Sequence, residues 1–552
     1  MKKISRRSFL KGMGATAATL SATSLLTACG STSSSGDASS TSDATTTTTT
    51  SSDVINIAST STLGSLNPLL IDATWINMYA MTLMFNPLVA LNEEAEFEAM
   101  LVDSITTDDN LTYTLHINDA ATWSDGTPIT SADLEYTFKM LTSATVGNLT
   151  MMMYALVGTD DATGYRADGV EDLEGFQIVD DKTVTLTFKW EINPISFQTS
   201  YAMYIFPVPA HVLSEVPEAD LATSDWFSAP TVVSGPYMAT AVDANNYITY
   251  TANENYWMGA PKVSSLNIKI VEGAQLLSGL TSGEIDVVPP LLASFVQSDY
   301  DSVLALENVN AAYGDAYAVE NIFINCNTVP EVEIRQAMLC ALDRNVIIDG
   351  LLGGAADLCD GFAVPAGPYN RDLPVTAYDV TRAQELVATA TANGWDPSTT
   401  YELYLNGGED TLINAATIAQ TYWAAAGINV NLNTVDIDTL MTMCIEGSGD
   451  MYGVQYTYPP MDPAQVDISW VLDYWCFYES DVVPDALANI WATSDPDVYA
   501  DELYKIDADV QENVPLMVLY VNGPLGAVAN RVSGATANMY GCLNNVHEWE
   551  IV

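Results

Sequence analysis

Between Val54 and Val552 two periodicities alternate along the chain, and their alternation restricts it to a mixed α/β architecture. Thr112 to Ile117 puts Tyr113, Leu115 and Ile117 on one strand face, and Thr183 to Phe188 does the same with Val184, Leu186 and Phe188. Thr130 to Asp133 has the spacing of a capping box, with Leu134, Phe138 and Leu141 following on one helical face. A second helix begins near Glu333 and carries Ile334, Met338, Ala341 and Leu342 along one side, with Gly353-Gly354 as its stop. A third holds Ile413, Ala416, Gln420 and Trp423, and ends at Gly427 before the alternating strand Ile428 to Leu432. This much chain exceeds what one core can serve, which predicts two or three domains. No internal repeat is evident, and after the N-terminus no stretch is long and apolar enough to cross a membrane.

The first 28 residues read as a targeting segment. Met1 to Lys11 is basic and carries Arg6 and Arg7, Gly12 to Leu26 is mildly apolar, and Leu26-Thr27-Ala28 leads small residues up to Cys29. That order resembles a bacterial lipoprotein signal, while Ser5 to Lys11 resembles a twin-arginine export signal. Cleavage ahead of Cys29 would free its thiol for lipid attachment. Residues 29–53 are almost entirely Ser, Thr, Gly, Ala and Asp, with six consecutive threonines from Thr45, and read as a tether without core-forming side chains.

The formal charge of −53, from 17 basic and 70 acidic residues, excludes a nucleic-acid partner and favours a soluble monomer. It is compatible with a cationic ligand. The six cysteines after Cys29 are scattered without a CxxC, so no metal or other cofactor is expected; whether they pair or stay as buried thiols is open. Three histidines, His116, His211 and His547, stand in no HExxH, and neither GxSxG nor a phosphate-binding loop occurs. The expectation is a protein that is not an enzyme.

A series of motifs then resembles the extracellular solute-binding proteins of the oligopeptide, dipeptide and nickel importers, family 5. Leu66-Asn67-Pro68, Phe85-Asn86-Pro87-Leu88-Val89 and above all Thr122-Trp123-Ser124-Asp125-Gly126-Thr127-Pro128 running into Ala132-Asp133-Leu134 are similar to that family's signatures. Ser234-Gly235-Pro236-Tyr237, Asn253 to Gly259, Gly283-Glu284-Ile285-Asp286, Ile334-Arg335-Gln336-Ala337-Met338 with Leu342-Asp343-Arg344, Ala426 to Val430 and Met461-Asp462-Pro463 follow in the family's order. Each has its own physical reading: Asp125-Gly126-Thr127-Pro128 is a turn feeding the capped helix at Thr130, and Tyr256-Trp257 and the Arg335 helix read as packing.

The resemblance implies a two-lobed periplasmic-binding-protein fold of the large oligopeptide-binding type, with the ligand between the lobes. The first lobe is expected over 54–300, rejoined by about 515–552, and the second over 301–514. It implies capture of a peptide or similar small polar solute by lobe closure, and delivery to the permease and ATPase subunits of an ABC importer. Ligand contacts are expected from Thr62, Tyr456, Tyr458, Asp462 and Trp470. In peptide-binding relatives an Asp three residues before the Asp-Pro pair accepts the ligand's amine; here that position is Pro459, and the position of a stacking aromatic falls at Ile437. The nearest substitute acid is Asp467. The aromatic surroundings keep an oligosaccharide open as the alternative ligand, and an acidic surface-anchored glycan-acting enzyme or adhesin as a further one.

Overall fold

The computed structural model describes residues 53–70, 74–148, 153–167, 169–170, 172–456, 458–464 and 467–552. The signal segment 1–28, Cys29 and the tether up to Ser52 lie outside them.

Two large sheets organise the chain. The first has seven strands in the order Val309–Tyr313, Leu525–Ala529, Val287–Val288, Val54–Ser59, Ser265–Ile270, Tyr247–Ala252 and Tyr237–Asp243. The second has six: Ala356–Asp357, Leu516–Asn522, Ala318–Ile324, Met451–Gln455, Thr400–Asn406 and Asn429–Val435. A separate four-stranded sheet, Val102–Thr106, Thr112–Ile117, Thr183–Thr187 and Phe176–Ile178, sits within the N-terminal half. Its two central strands bury the side chains that period-two reading selected, Tyr113, Leu115 and Ile117 against Val184 and Leu186.

The chain passes from the first large sheet to the second between Tyr313 and Ala318, and returns between Asn522 and Leu525. These crossings, rather than 300 and 515, separate the two sheets: strand Val309–Tyr313 still pairs in the first, and Leu516–Asn522 pairs wholly in the second. The two crossings lie backbone to backbone, with the Gly314 N–H donating to the Pro524 carbonyl at 3.0 Å. A Cβ on Gly523 would stand 1.8 Å from the Gly314 carbonyl oxygen, so only glycine permits that approach.

Local signals account for several elements. Helix Ser131–Leu141 starts where the capping box predicts, with Asp133 accepting from the Thr130 backbone N–H at 2.9 Å. Helix Asp410–Ala426 ends on Gly427 at φ 92°, in the left-handed region. The helix expected to run from Glu333 to Gly353 is two: Val332–Ala341 stops where Leu342 turns extended, and Asp343 leads into Arg344–Leu351. Arg344 explains the break. Its guanidinium is buried, pairs with Asp360 at 2.6 Å and donates to the Val518 and Cys359 carbonyls, which fixes the start of the second helix. All six described cysteines are free thiols, five of them buried.

One hydrophobic cluster spans both lobes, running from Ile57 and Tyr113 to Tyr458, Trp475 and Trp549. A second lies beneath the helices on the other face of the six-stranded sheet, with Ile322, Leu403, Trp423 and Met517.

Candidate functional site

Strand Ala318–Ile324 lies inside its sheet and is buried almost throughout, yet it carries Glu320 and Asn321. Polar atoms in such a place cost free energy unless they are bonded. Asn321 is satisfied: its amide donates to the Val319 and Tyr456 carbonyls at 2.9 and 3.2 Å, and its carbonyl accepts from the Tyr458 hydroxyl at 3.4 Å. It thereby fixes the chain just after strand Met451–Gln455 ends.

Tyr456 and Tyr458 leave that strand with their ring centroids 5.4 Å apart. Tyr456 is half-buried and packs edge-on against Trp475 at 5.1 Å, while Tyr458 is fully buried against Phe362 at 4.8 Å. Pro459 then opens a turn, its carbonyl accepting from the Asp462 N–H at 3.0 Å. Asp462 is buried; its Oδ2 accepts from Ser196 Oγ at 2.7 Å and its Oδ1 from the Tyr499 hydroxyl at 2.5 Å. Trp470 ends the short helix Asp467–Trp470, buried, with its ring 4.8 Å from Tyr474. The Asp467 side chain lies outside the described residues. Thr62 stands on the first lobe, exposed in the segment after strand Val54–Ser59, beside the Leu63 N–H to Ala244 carbonyl bond. Ile437 begins helix Ile437–Glu446. The structure therefore gathers Tyr456, Tyr458 and Asp462 along one loop, with Trp470 just beyond it and Thr62 on the other lobe.

The seam beside this loop is polar. Besides Ser196–Asp462, the Asn193 amide donates to the Ile490 carbonyl at 3.1 Å and the Asn110 amide to the Ala492 carbonyl at 3.2 Å. Helix Val483–Ala492 of the second lobe thus meets the N-terminal half through its own C-terminal carbonyls, which are left over when a helix ends.

Sequence reading missed an acidic cluster on the same strand edge. Glu320 Oε1 accepts from Gln455 Nε2 at 3.0 Å, and the Gln455 backbone N–H donates to Glu409 at 3.3 Å. Glu409 precedes helix Asp410–Ala426 and also accepts from the Asn406 amide at 2.7 Å. Burial, with the Glu409 charge adding, pushes the Glu320 carboxyl up to about 8, and burial raises Glu409 as well. The available signal was the polar pair within the run Ala318 to Ile324, which decides nothing until that run is known to be an interior strand.

A cavity of about 250 Å³ lies elsewhere on the second lobe, between the segment from Leu358 to Leu373 and helix Pro496–Asn513, with Asp360, Tyr369, Arg371 and Asp507 in its wall. Asp507 accepts from the Phe362 and Ala363 N–H groups at 2.7 and 3.1 Å, which ties the ring that packs on Tyr458 to this helix. Among the described residues, no group of three or more His, Cys, Asp or Glu side chains is placed to hold a metal ion.

Comparison with known proteins gives a consistent result. The model of the bacterial extracellular solute-binding proteins, family 5, matches residues 96–473, and that of the twin-arginine translocation pathway signal sequence matches residues 3–23. A putative ABC transporter peptide-binding protein of Brucella ovis is 28% identical over 401 residues, 70% of this chain and 69% of the relative. The oligopeptide-binding protein AppA of Bacillus subtilis is 21% identical over 506 residues, 85% of this chain and 86% of the relative. Its structure in complex with a nonapeptide covers 90% of this chain and 99% of its own, at 20% identity and a TM-score of 0.66. The unliganded open form of MppA, a periplasmic murein tripeptide binding protein, covers 90% and 97% at 16% identity with a TM-score of 0.76. These structural likenesses bear out the two-lobed fold.

Proposed function

The chain belongs to the bacterial extracellular solute-binding proteins of family 5, the substrate-binding class of ABC transporters, and from that membership we propose that it captures peptides outside the cytoplasm for an ABC importer. The observation that carries this reading is the pair of crossings at Gly314–Tyr317 and Gly523–Pro524, held side by side at one place. Two lobes whose backbone links, among the described residues, run only there can rotate as bodies and enclose a solute. Closure follows from differential affinity: the ligand shifts the population toward whichever arrangement it binds better. The ligand leaves unchanged, and its release to the permease completes the cycle.

The solute lies in the seam against Tyr456, with Tyr458, Asp462 and Trp470 behind it, and Thr62 faces it from the first lobe. Asp462 acts through the lobes themselves, since Ser196 and Tyr499 already occupy its oxygens. Peptides are favoured over oligosaccharides because the curated relatives matched over most of the chain are named as peptide-binding. The chain carries a twin-arginine signal and is exported. Lipidation of Cys29 then holds it, as a monomer, at the outer face of the cytoplasmic membrane, with the Ser/Thr-rich segment as tether.

Native mass spectrometry of the gently purified protein, followed by calorimetry against peptide and oligosaccharide panels, tests the reading. A co-purified peptide mass and saturable peptide binding are expected. Saturable binding of oligosaccharides alone would replace it, and turnover of a labelled glycan would replace binding by catalysis.

A further inference from the structure

We propose that Glu320, Glu409 and Gln455 form a subsite for an ammonium or guanidinium group of the ligand, an inference that rests on the seam being the ligand cleft. Glu320 is 5% exposed, and its Oε2 is buried without a hydrogen-bond partner among the described residues. A carboxyl oxygen without a partner at that depth costs free energy, and ionising it calls for a donor. Asn522, on the neighbouring strand, supplies a second orphan: its Oδ1 is likewise buried and unpartnered. Register puts the two on one face, since Glu320 stands opposite Tyr520 and Ala318 opposite Asn522.

The residues beside these buried acceptors are exposed on one side. Gln455 is exposed, and so are Gly407 and Gly408, which join strand Thr400–Asn406 to the helix behind Glu409. The subsite thus sits at the carboxyl ends of Thr400–Asn406 and Met451–Gln455, at the crossing side of the sheet where strand Ala318–Ile324 begins. In open α/β sheets ligands gather outside the carboxyl ends of strands. Among the described residues, neither glutamate is within ion-pair distance of a Lys, Arg or His of this chain.

Two neighbouring carboxylates, one deeply buried, repel each other when both are ionised. A bound cation relieves the repulsion and fills the orphaned valences with charge-assisted hydrogen bonds. Two carboxylates and side-chain amides suit a multi-donor organic cation better than a metal ion, which takes a fuller set of anionic or imidazole ligands. The group would replace in kind what Pro459 lacks, at a different place in the cleft.

The test uses the full exported protein and a tripeptide containing lysine. Its norleucine counterpart removes the side-chain ammonium, and N-acetylation of each removes the α-ammonium. Calorimetry should show tighter binding to whichever forms keep the recognised cation, and the acetyl and norleucine arms separate its two sources. Glu320→Gln and Glu409→Gln should each weaken that form by about tenfold or more, with less than about twofold change for the uncharged form. Equal binding of all four peptides, or variants that keep the parent's preference, would overturn the subsite while leaving peptide capture intact. Binding of no peptide by the parent would instead overturn peptide capture. A ligand-independent measurement decides the subsite even then: Gln455→Lys supplies a built-in ammonium beside both carboxylates and should raise the unfolding midpoint by about 2–4 °C, whereas an unchanged or lowered midpoint would sink the proposal.

Discussion

Ser196 donates its hydroxyl to the buried Asp462 carboxylate at 2.7 Å, joining the short helix Pro194–Phe197 of the N-terminal half to the turn at Pro459 of the second lobe. A hydrogen bond to an ionised group contributes about 1.5–3 kcal/mol. Ser196→Ala should lower urea stability by an amount in that range, because Asp462 is left buried with one fewer donor. Loss well below about 0.5 kcal/mol would mean that this bond is replaced at no cost, and that the seam is not held here.

The crossing at Gly523 makes a steric prediction. Gly523→Ala places a methyl against the Gly314 carbonyl oxygen, a backbone atom that cannot rotate away. The two crossings must separate, and strain of this kind costs about 1–3 kcal/mol. We expect a lower thermal midpoint and a changed rate of ligand-induced closure, measured by stopped-flow tryptophan fluorescence.

Which parts of the molecule could be read from sequence follows from how far each feature's partners lie along the chain. The helix after Thr130 was legible because Thr130 and Asp133 define it between themselves. The strands Thr112–Ile117 and Thr183–Thr187 were legible because one face of each is buried and the other is not. The crossings were not, since strand Leu525–Ala529 belongs to the first sheet through pairing with Val287–Val288 and Val309–Tyr313, both far away in sequence. The aromatic loop was found through the Asp462-Pro463 landmark, but the depth of Tyr458 depends on Phe362, which nothing local announces. Glu320 stayed hidden for the same reason: its burial and its neighbour Glu409 are set by three separate strands.

Asp507 should make stability depend on pH. Burial pushes its carboxyl up to about 7, against the lowering effect of the Phe362 and Ala363 N–H groups, with the Asp360 charge raising it further. An unfolded aspartate titrates near about 3.9. The folded state therefore holds this proton more tightly, so the contribution is complete below about pH 4 and is lost as pH rises toward about 7. Asp507→Asn should flatten that part of the stability profile relative to the parent in urea titrations at stepped pH. An identical slope in parent and variant would show that Asp507 titrates normally.

Export and anchoring separate genetically. Arg6→Lys with Arg7→Lys should block export through the twin-arginine route, whose signal covers residues 3–23. Cys29→Ala should instead leave export intact and shift the protein from the membrane pellet to the soluble fraction, with unchanged thermal stability. Retention of the Cys29 variant in salt-washed membranes would remove the lipid from the account.

The two tyrosines should respond differently to truncation, although the sequence alone treats them alike. Tyr458 is fully buried, packs on Phe362 and reaches Asn321, so Tyr458→Ala should cost about 3–5 kcal/mol of fold stability and report little about ligand. Tyr458→Phe is the cleaner probe there, because it removes the hydroxyl that reaches Asn321 at 3.4 Å and keeps the ring. Tyr456 is half-buried on the same loop. Tyr456→Ala should weaken peptide binding by about 1–3 kcal/mol, the range of an aromatic contact together with a single polar one. Calorimetry at a temperature where the variant is demonstrably folded measures this directly. Binding unchanged in Tyr456→Ala would move the ligand off this loop altogether, toward the strand edge that carries Glu320 and Glu409.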